Sequence, residues 1–557
     1  MKQAARILLA IAEKRWRWVV AVTMILLLGW AWSNRFIQDD AFISFRYARN
    51  LAEGQGLTWN AGERVEGYTN FLWVLLMTLP IKLGLDPVWA AYALGMLCFA
   101  GSLVLTFVLA RDLLHSRWRA LIAVALLGLN YTFSAYATGG LETQLQACAL
   151  LGAAVLAVRV CAGGCARFTL ALLGVSLCAS VALLTRLDSA VVLAPLYVAL
   201  LVWWLRCAGR KRWRYALALG APALVLVGGW LVWKQGYYGS ILPNTFYAKA
   251  ASPSIRQGFA YAYRFVTFYW LGPVIAVGVL YVLGQLRRRG AGAESEASEQ
   301  SAWHRCVVAT LAACVGLWFA YVVGVGGDFM EFRFFVAILP LTMVLAVWMI
   351  WAAGGSAVVR AGLVLALAVA GVLAAWGHKG YGGVESIAQL QGHLSNSDEN
   401  WSGIGHALGV LLPQPEAQGV VIATTAAGAI PYYSRLDTID MLGLNDAWVA
   451  REGTSAGARA GHQKLATFEY LVRREVTLVL GHPRVAKAGV GPVRYTVSEL
   501  DWFTLSTVDG AQLPETARVL EIPLPDGYAL RALYLMPHPA VEQTIAAQAV
   551  TAYPIVR

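Results

Sequence analysis

Charge is what this sequence has least of: 44 Lys plus Arg and 32 Asp plus Glu make up 14% of 557 residues, against about 25% in soluble globular chains. That scarcity excludes a purely soluble protein. The 58% hydrophobic content and mean hydropathy of +0.58 fall in repeated apolar runs of about 20 residues, each able to cross a ~30 Å hydrocarbon core as a helix. Cysteine is absent after Cys314, which excludes a disulfide scaffold for the polar C-terminal stretch. Cys161 and Cys165 flank Ala-Gly-Gly without an accompanying His or further Cys pair, so a metal there is disfavoured. No Gly-rich nucleotide signature stands at a strand–helix junction, which disfavours nucleotide binding. No repeat of fixed period is visible, so the inverted halves of many secondary transporters are not evident.

What charge there is lies unevenly. Residues 378–557 hold 13 basic and 17 acidic residues, net −4, leaving 31 − 15 = +16 for residues 1–377 and +12 for the chain. The basic excess belongs to the membrane part and reads as cytoplasmic loops rather than a nucleic-acid surface. Lys2, Arg6, Lys14, Arg15 and Arg17 precede the first long run, 19–32, and Ser-Asn-Arg-Phe-Ile-Gln-Asp-Asp follows it. With no small-residue cleavage site, an uncleaved first helix with its N-terminus inside is expected. The positive-inside rule then puts the clusters at 111–119, at 206–214, and at 287–289 with Arg305 in the cytoplasm. For this to hold, the short apolar segment 71–83 must be a juxtamembrane or re-entrant helix on the outer side. The other spans are expected at 87–110, 119–137, 143–160, 168–184, 189–205, 215–234, 261–286, 305–325, 333–353 and 358–376. Together they give a polytopic α-helical protein of about eleven transmembrane helices, N-in and C-out. Segments 34–70, 138–142, 185–188, 235–260 and 326–333 then face outside, and residues 34–86 form the first external loop.

Two regions follow, 1–377 in the membrane and 378–557 beyond it. The stretch 290–301 is small, polar and acidic and reads as a flexible linker. After residue 377, β-branched runs at 419–425, 437–442 and 476–480, with a helix expected at 463–474, predict an extracytoplasmic α/β domain.

The outward segments carry the chemistry-bearing residues. Asp39 and Asp40 follow the first span; paired carboxylates near apolar surface raise at least one pKa, as a proton acceptor needs. Two acids in the first turn of a solvated helix explain the pair equally well. Gly62-Glu63-Arg64-Val65-Glu66-Gly67-Tyr68-Thr69-Asn70 offers the dense donors and acceptors that sugar hydroxyls require. Glu142, Arg186 and Asp188 stand at helix ends, where a terminal charge is the commoner explanation. The segment 236–249 combines turn formers with Tyr237, Tyr238, Tyr247, Asn244 and Lys249, a cation suited to a phosphate. Gly326-Gly327-Asp328-Phe329-Met330-Glu331-Phe332-Arg333 adds ionisable groups at another span's outer end.

These motifs resemble the GT-C superfamily of membrane glycosyltransferases. They are most similar to the terminal β-(1→2) arabinofuranosyltransferases of mycobacterial cell walls and to bacterial relatives that arabinosylate pilin. The resemblance is carried by Asp39-Asp40 through Gly54, Gly-Glu-Arg-Val-Glu at 62–66, Gly-Leu-Glu at 140–142, Arg-x-Asp at 186–188, the pattern at 236–249, Gly-Gly-Asp-Phe-Met at 326–330 and Ile-Asp-Met-Leu-Gly-Leu-Asn at 439–445. Glu331 departs from the His expected there in the mycobacterial enzymes.

The resemblance implies transfer of a sugar, D-arabinofuranose before mannose, from a polyprenyl phosphate to a glycan or protein acceptor at the outer face of a bacterial cytoplasmic membrane. It implies that Asp39, with Asp40, is catalytic; that Lys249, Arg333, Arg186, Tyr237 and Tyr238 attend the donor phosphate; and that Glu66, Glu142, Asn244 and Asp328 hold sugar hydroxyls. A divalent metal is compatible with Asp39 and Asp40, although no complete ligand set is legible, and no other cofactor is required. If a β-linked donor yields a β-linked product, the carboxylate acts as a nucleophile or stabilises an oxocarbenium ion. A lipid-linked-sugar flippase and a membrane-anchored scaffold are the competing classes; neither accounts for a large polar domain together with polar motifs on one face. Trp376, Trp401, Trp448 and Trp502 offer stacking faces for an acceptor glycan or serve as core, and Asp440 and Asn445 fit structural roles at least as well.

Overall fold

The computed structural model describes residues 15–163, 167–207, 209–249, 254–290, 299–377, 380, 382–396, 398–457 and 461–557. Cys165 and most of the linker at 290–301 lie outside them, as do Lys2, Arg6 and Lys14 and the side chains at 287–289.

Among the described residues, eight helices are long and apolar enough to span a membrane: Trp16–Ser33, Pro87–Leu114, Thr143–Cys161, Phe168–Thr185, Leu187–Arg206, Arg212–Tyr238, Trp303–Gly324 and Ala357–Gly377. Their large apolar side chains point outward as well as inward; Leu97, Val232 and Trp376 are exposed, as lipid-facing residues are. The three remaining expected spans take other forms. The segment expected at 261–286 is a pair of helices, Ile255–Phe268 and Gly272–Gly284, bent by 96°. The one expected at 119–137 breaks at Asn130, whose side chain caps the Phe133 amide of a second short helix, Tyr131–Ala135. The one expected at 333–353 begins with a tight 3-10 turn, Arg333–Ala337, before the helix Leu339–Ala352. Phe71–Lys82 is a short helix, as its length required.

The C-terminal region folds around an eight-stranded mixed sheet. One half is parallel: Asp437–Asp440, Val421–Thr424 and Leu478–Gly481. Val421–Thr424 and Leu478–Gly481 are nearly continuous apolar runs, buried as parallel strands are, while Asp437–Asp440 at the sheet edge begins exposed and carries an Asp at each end. The other half is antiparallel, with Tyr528–Tyr534 between Leu478–Gly481 and Arg518–Pro523, and Thr551–Val556 beyond. The helix expected at 463–474 shrinks to Phe468–Arg473, because Lys464–Leu465 pairs as a strand with Thr454–Ser455.

The loops leaving the carboxyl ends of Val421–Thr424 and Asp437–Asp440 meet the helix Asp39–Ala52. Arg46, buried, donates to the backbone carbonyls of Trp59 (2.6 Å), Pro431 (2.6 Å) and Leu436 (2.9 Å) and to Asn60 Oδ1 (3.1 Å). Arg49 donates to Tyr432 O at 2.6 Å and lies 4.6 Å from its ring centre. Gly428 is obligatory at this junction, since a methyl group there would overlap the Asp39 backbone carbonyl.

Candidate functional site

Where the segments expected to face outside converge there is a cavity of about 640 Å³. Its walls come from Asp40 and Ser44, from residues 66–70, from Glu142, from Arg186 and Asp188, from Trp230 and Lys234, from Thr245 and Lys249, and from Tyr321, Asp328 and Arg333. Leu444, Gly461 and Gln463 of the C-terminal domain close it. Five carboxylates and four cations line one space, and their pairing decides what is free to act.

Arg186 is held between two acids: it reaches Glu142 Oε1 at 3.0 Å and Asp188 Oδ2 at 2.6 Å. Against burial, which lowers it, Asp188 and Glu142 hold its pKa well above the ordinary arginine value. Asn70 donates to the other Glu142 oxygen at 2.9 Å, and Gln146 and Tyr321 donate to Asp188. Lys234 and Glu66 form a buried ion pair at 2.7 Å, and burial pushes Glu66 up to about 7 against the attraction of Lys234. Arg333 Nε donates to Asp328 Oδ2 at 2.7 Å. Among the described residues, Asp40 and Lys249 remain without a hydrogen bond or ion pair while lining the same cavity. Burial raises the Asp40 pKa, opposed by the positive charges of Arg333 and Lys249. Burial lowers the Lys249 pKa, and Arg333 lowers it further. A carboxylate with raised basicity and an ammonium held by no direct ion pair among the described residues, in one enclosed space, can accept a proton and stabilise developing negative charge.

The two adjacent aspartates have separate fates. Both sit in the first turn of Asp39–Ala52, where the helix dipole favours acids. Successive residues project about 100° apart around a helix, and the Asp39 carboxylate turns to the C-terminal domain. There it accepts from Gly428 N at 3.0 Å and Ala429 N at 2.7 Å. Burial pushes it up to about 7, with the Ala429 hydrogen bond holding it back. A divalent ion shared by the pair would find Asp39 already engaged, and the described residues contain no cluster of three or more His, Cys, Asp or Glu fit to hold a metal.

Glu66, Glu142, Asp328, Arg186, Arg333 and Lys249 thus meet in one cavity, while three further expected residues stand apart. The Tyr237 hydroxyl accepts from Leu57 N at 3.1 Å, and the Tyr238 hydroxyl donates to Leu57 O at 2.7 Å. Both tie down the segment that follows the helix Asp39–Ala52, and neither lines the cavity. Asn244 spends its side chain on the backbone of residues 443–446. Sequence reasoning missed Lys234, although a lone lysine in an apolar run is a functional candidate by default. It also missed the contribution of Gln463, which no local pattern announces.

The arrangement is that of a known membrane architecture. ArnT from Cupriavidus metallidurans, solved in the apo state, superimposes with a TM-score of 0.53 over 94% of this chain and 98% of its own, at 13% identity. The chain therefore has an ArnT-like fold. In sequence it is similar to the terminal β-(1→2)-arabinofuranosyltransferase of Corynebacterium glutamicum, 29% identical over 371 residues covering 59% of this chain and 50% of the relative. It is likewise 28% identical to the enzyme of the same description from Mycobacterium tuberculosis over 379 residues, 59% of this chain and 54% of the relative. The chain spans about half the length of these relatives. Residues 394–534 match a protein family described as a domain of unknown function, DUF8728.

Proposed function

We propose that this protein transfers a sugar, D-arabinofuranose, from a polyprenyl-phosphate donor to a glycan or protein acceptor, with the cavity open to the outer face of a bacterial cytoplasmic membrane. The observation that carries the reading is that the Asp40 carboxylate and the Lys249 ammonium, neither paired among the described residues, share one cavity. The similarity to arabinofuranosyltransferases supports the choice of sugar. The basic loops at 111–119 and 206–214 support the orientation.

In this reading the acceptor hydroxyl oxygen forms the new bond to the anomeric carbon. The bond from that carbon to the phosphate oxygen breaks, with its electron pair leaving on the phosphate. Asp40 takes the hydroxyl proton, a role for which burial has raised its basicity. Lys249, backed by Arg333, meets the charge that grows on the departing phosphate. The paired groups Glu142–Arg186–Asp188, Glu66–Lys234 and Asp328–Arg333 present fixed donors and acceptors to sugar hydroxyls without needing to reorganise. Where a β-linked donor gives a β-linked product, the same carboxylate first attacks or stabilises the anomeric centre and then receives the proton. Asp39 serves the docking of the C-terminal domain.

The test is transfer by the purified protein in detergent from a polyprenyl-phosphoryl-arabinofuranose analogue to a short arabinoside, with the mannosyl analogue alongside. Arabinosyl product is expected. Turnover of the mannosyl donor alone overturns the choice of sugar, and turnover of neither overturns the enzyme reading.

A further inference from the structure

The turn that follows the strand Asp437–Asp440 grips the helix that carries Lys249. Asp440 closes this turn: its carboxylate accepts from Leu442 N at 3.0 Å, Asn445 N at 2.8 Å and Asn445 Nδ2 at 2.9 Å. Gly443 completes the closure with φ +78°, a conformation that favours glycine. The closed turn aims three backbone carbonyls at one side chain. Asn244 Nδ2 donates to Gly443 O at 2.9 Å, Leu444 O at 3.1 Å and Asp446 O at 3.2 Å. The other end of the amide is taken as well, since Asn244 Oδ1 accepts from Arg451 Nη1 at 3.2 Å. The Asn244 backbone amide donates to Glu66 O at 2.9 Å. Every polar group of this buried residue but its own carbonyl is therefore directed at scaffold, and none at the cavity.

Asn244 begins the helix Asn244–Lys249 and Lys249 ends it. Six residues are far too few for a helix to hold itself in water, so the place of Lys249 is set by what holds its two ends. At the start stands the Asn244 amide. Beside the lysine stands Gly461 of the C-terminal domain, where a Cβ would lie 3.9 Å from Lys249 Cε. Arg451 reinforces the grip, its guanidinium 4.3 Å from the centre of the Tyr247 ring on the same short helix.

We propose that Asn244 is a positioning residue through which the turn at 440–446 of the C-terminal domain fixes Lys249 in the cavity. The proposal rests on the reading of Lys249 as the cation that meets the donor phosphate. It gives the motif at 439–445 a purpose, since through it the domain outside the membrane sets the geometry of the site inside it.

Two measurements on full-length protein test it. In the first, Lys249 is labelled with a small acetylating reagent and its rate read by peptide mass spectrometry, with the exposed Lys82 and Lys487 as internal controls. Asn244→Ala is expected to change the Lys249 rate several-fold and leave the controls unmoved; an unchanged Lys249 rate overturns the proposal. Should Asn244→Ala fail to fold, Asp440→Asn, which loosens the turn while keeping its shape, is read in the same way. The second is a double-mutant cycle with Lys249→Ala. Asn244→Ala is expected to lower kcat/KM on the order of 10²-fold when Lys249 is present, the cost of a small misplacement, and to have little further effect when Lys249 is absent. Independent, multiplying losses would show that Asn244 acts on substrate itself and overturn the proposal. If Lys249→Ala alone leaves transfer intact, the phosphate reading fails, and the labelling rate still decides whether Asn244 positions the lysine.

Discussion

The two halves of the C-terminal sheet do different work. The parallel half, Val421–Thr424 with Asp437–Asp440 and Leu478–Gly481, sends loops from its carboxyl ends into the membrane part, where they receive Arg46, Arg49, Asp39 and Asn244. The antiparallel half, Arg518–Pro523 with Tyr528–Tyr534 and Thr551–Val556, carries polar contacts of another kind, such as the Arg518–Glu542 pair at 2.9 Å with the partners 31% and 42% exposed. In open α/β sheets, ligands gather outside the carboxyl ends of parallel strands; here the same edge gathers the side chains that anchor the helix Asp39–Ala52 and the start of the helix Asn244–Lys249. The domain's grip on the helix Asp39–Ala52 is concentrated where its strands run parallel, while its cavity wall comes from Leu444 at that edge and from Gly461 and Gln463 beside the pair Thr454–Ser455 and Lys464–Leu465.

Substitutions can break that contrast. Arg46→Leu removes four buried hydrogen bonds that tie the helix Asp39–Ala52 to residues 59–60 and to the segment 431–436, and a loss of about 2–4 kcal/mol in stability is expected, read as a fall in Tm of the detergent-solubilised protein. Gly428→Ala forces a methyl group onto the Asp39 backbone; about 1–3 kcal/mol of overpacking is expected, with transfer falling in step with the thermal shift. Asp39 gives a pH signature. Burial holds its folded pKa at about 7, above its ordinary 3.8, so between these values the folded protein keeps a proton that the unfolded chain releases. Stability from this group therefore falls as pH rises across that window, and Asp39→Asn should flatten that part of a Tm-against-pH curve. At the antiparallel half, Glu542→Gln is expected to change stability by about 0.5 kcal/mol or less, since exposed pairs contribute little, and to leave transfer unchanged. A large effect there would dissolve the distinction between the halves.

Much of this was legible in the sequence. Long apolar runs announced eight spanning helices because burial in lipid demands them, and β-branched runs announced the three parallel strands. The broken segments at 119–137 and 261–286 were read as straight because hydropathy records composition and not the cap at Asn130 or a 96° bend. At the site, the acids and bases were visible as residue types on outward segments. Their pairing was not, because Asn70 and Glu142, or Lys234 and Glu66, meet only after folding. The different directions of Asp39 and Asp40 were beyond the sequence for the same reason: neighbours on a helix differ only in the way they face, and it is the amides of Gly428 and Ala429, far along the chain, that take the Asp39 carboxylate. Asn244 looked like a sugar ligand until the turn at 443–446 claimed its amide.

The central claim is that Asp40 serves the chemistry and Asp39 the docking. The most direct measurement is the rate of arabinosyl transfer by Asp40→Asn and Asp39→Asn, each purified and matched for folded protein by its thermal transition. The expected result is a loss on the order of 10³-fold for Asp40→Asn at unchanged stability, and for Asp39→Asn a shifted thermal transition with turnover per folded molecule largely kept. A folded Asp39→Asn protein without activity, beside an active Asp40→Asn protein, would contradict it.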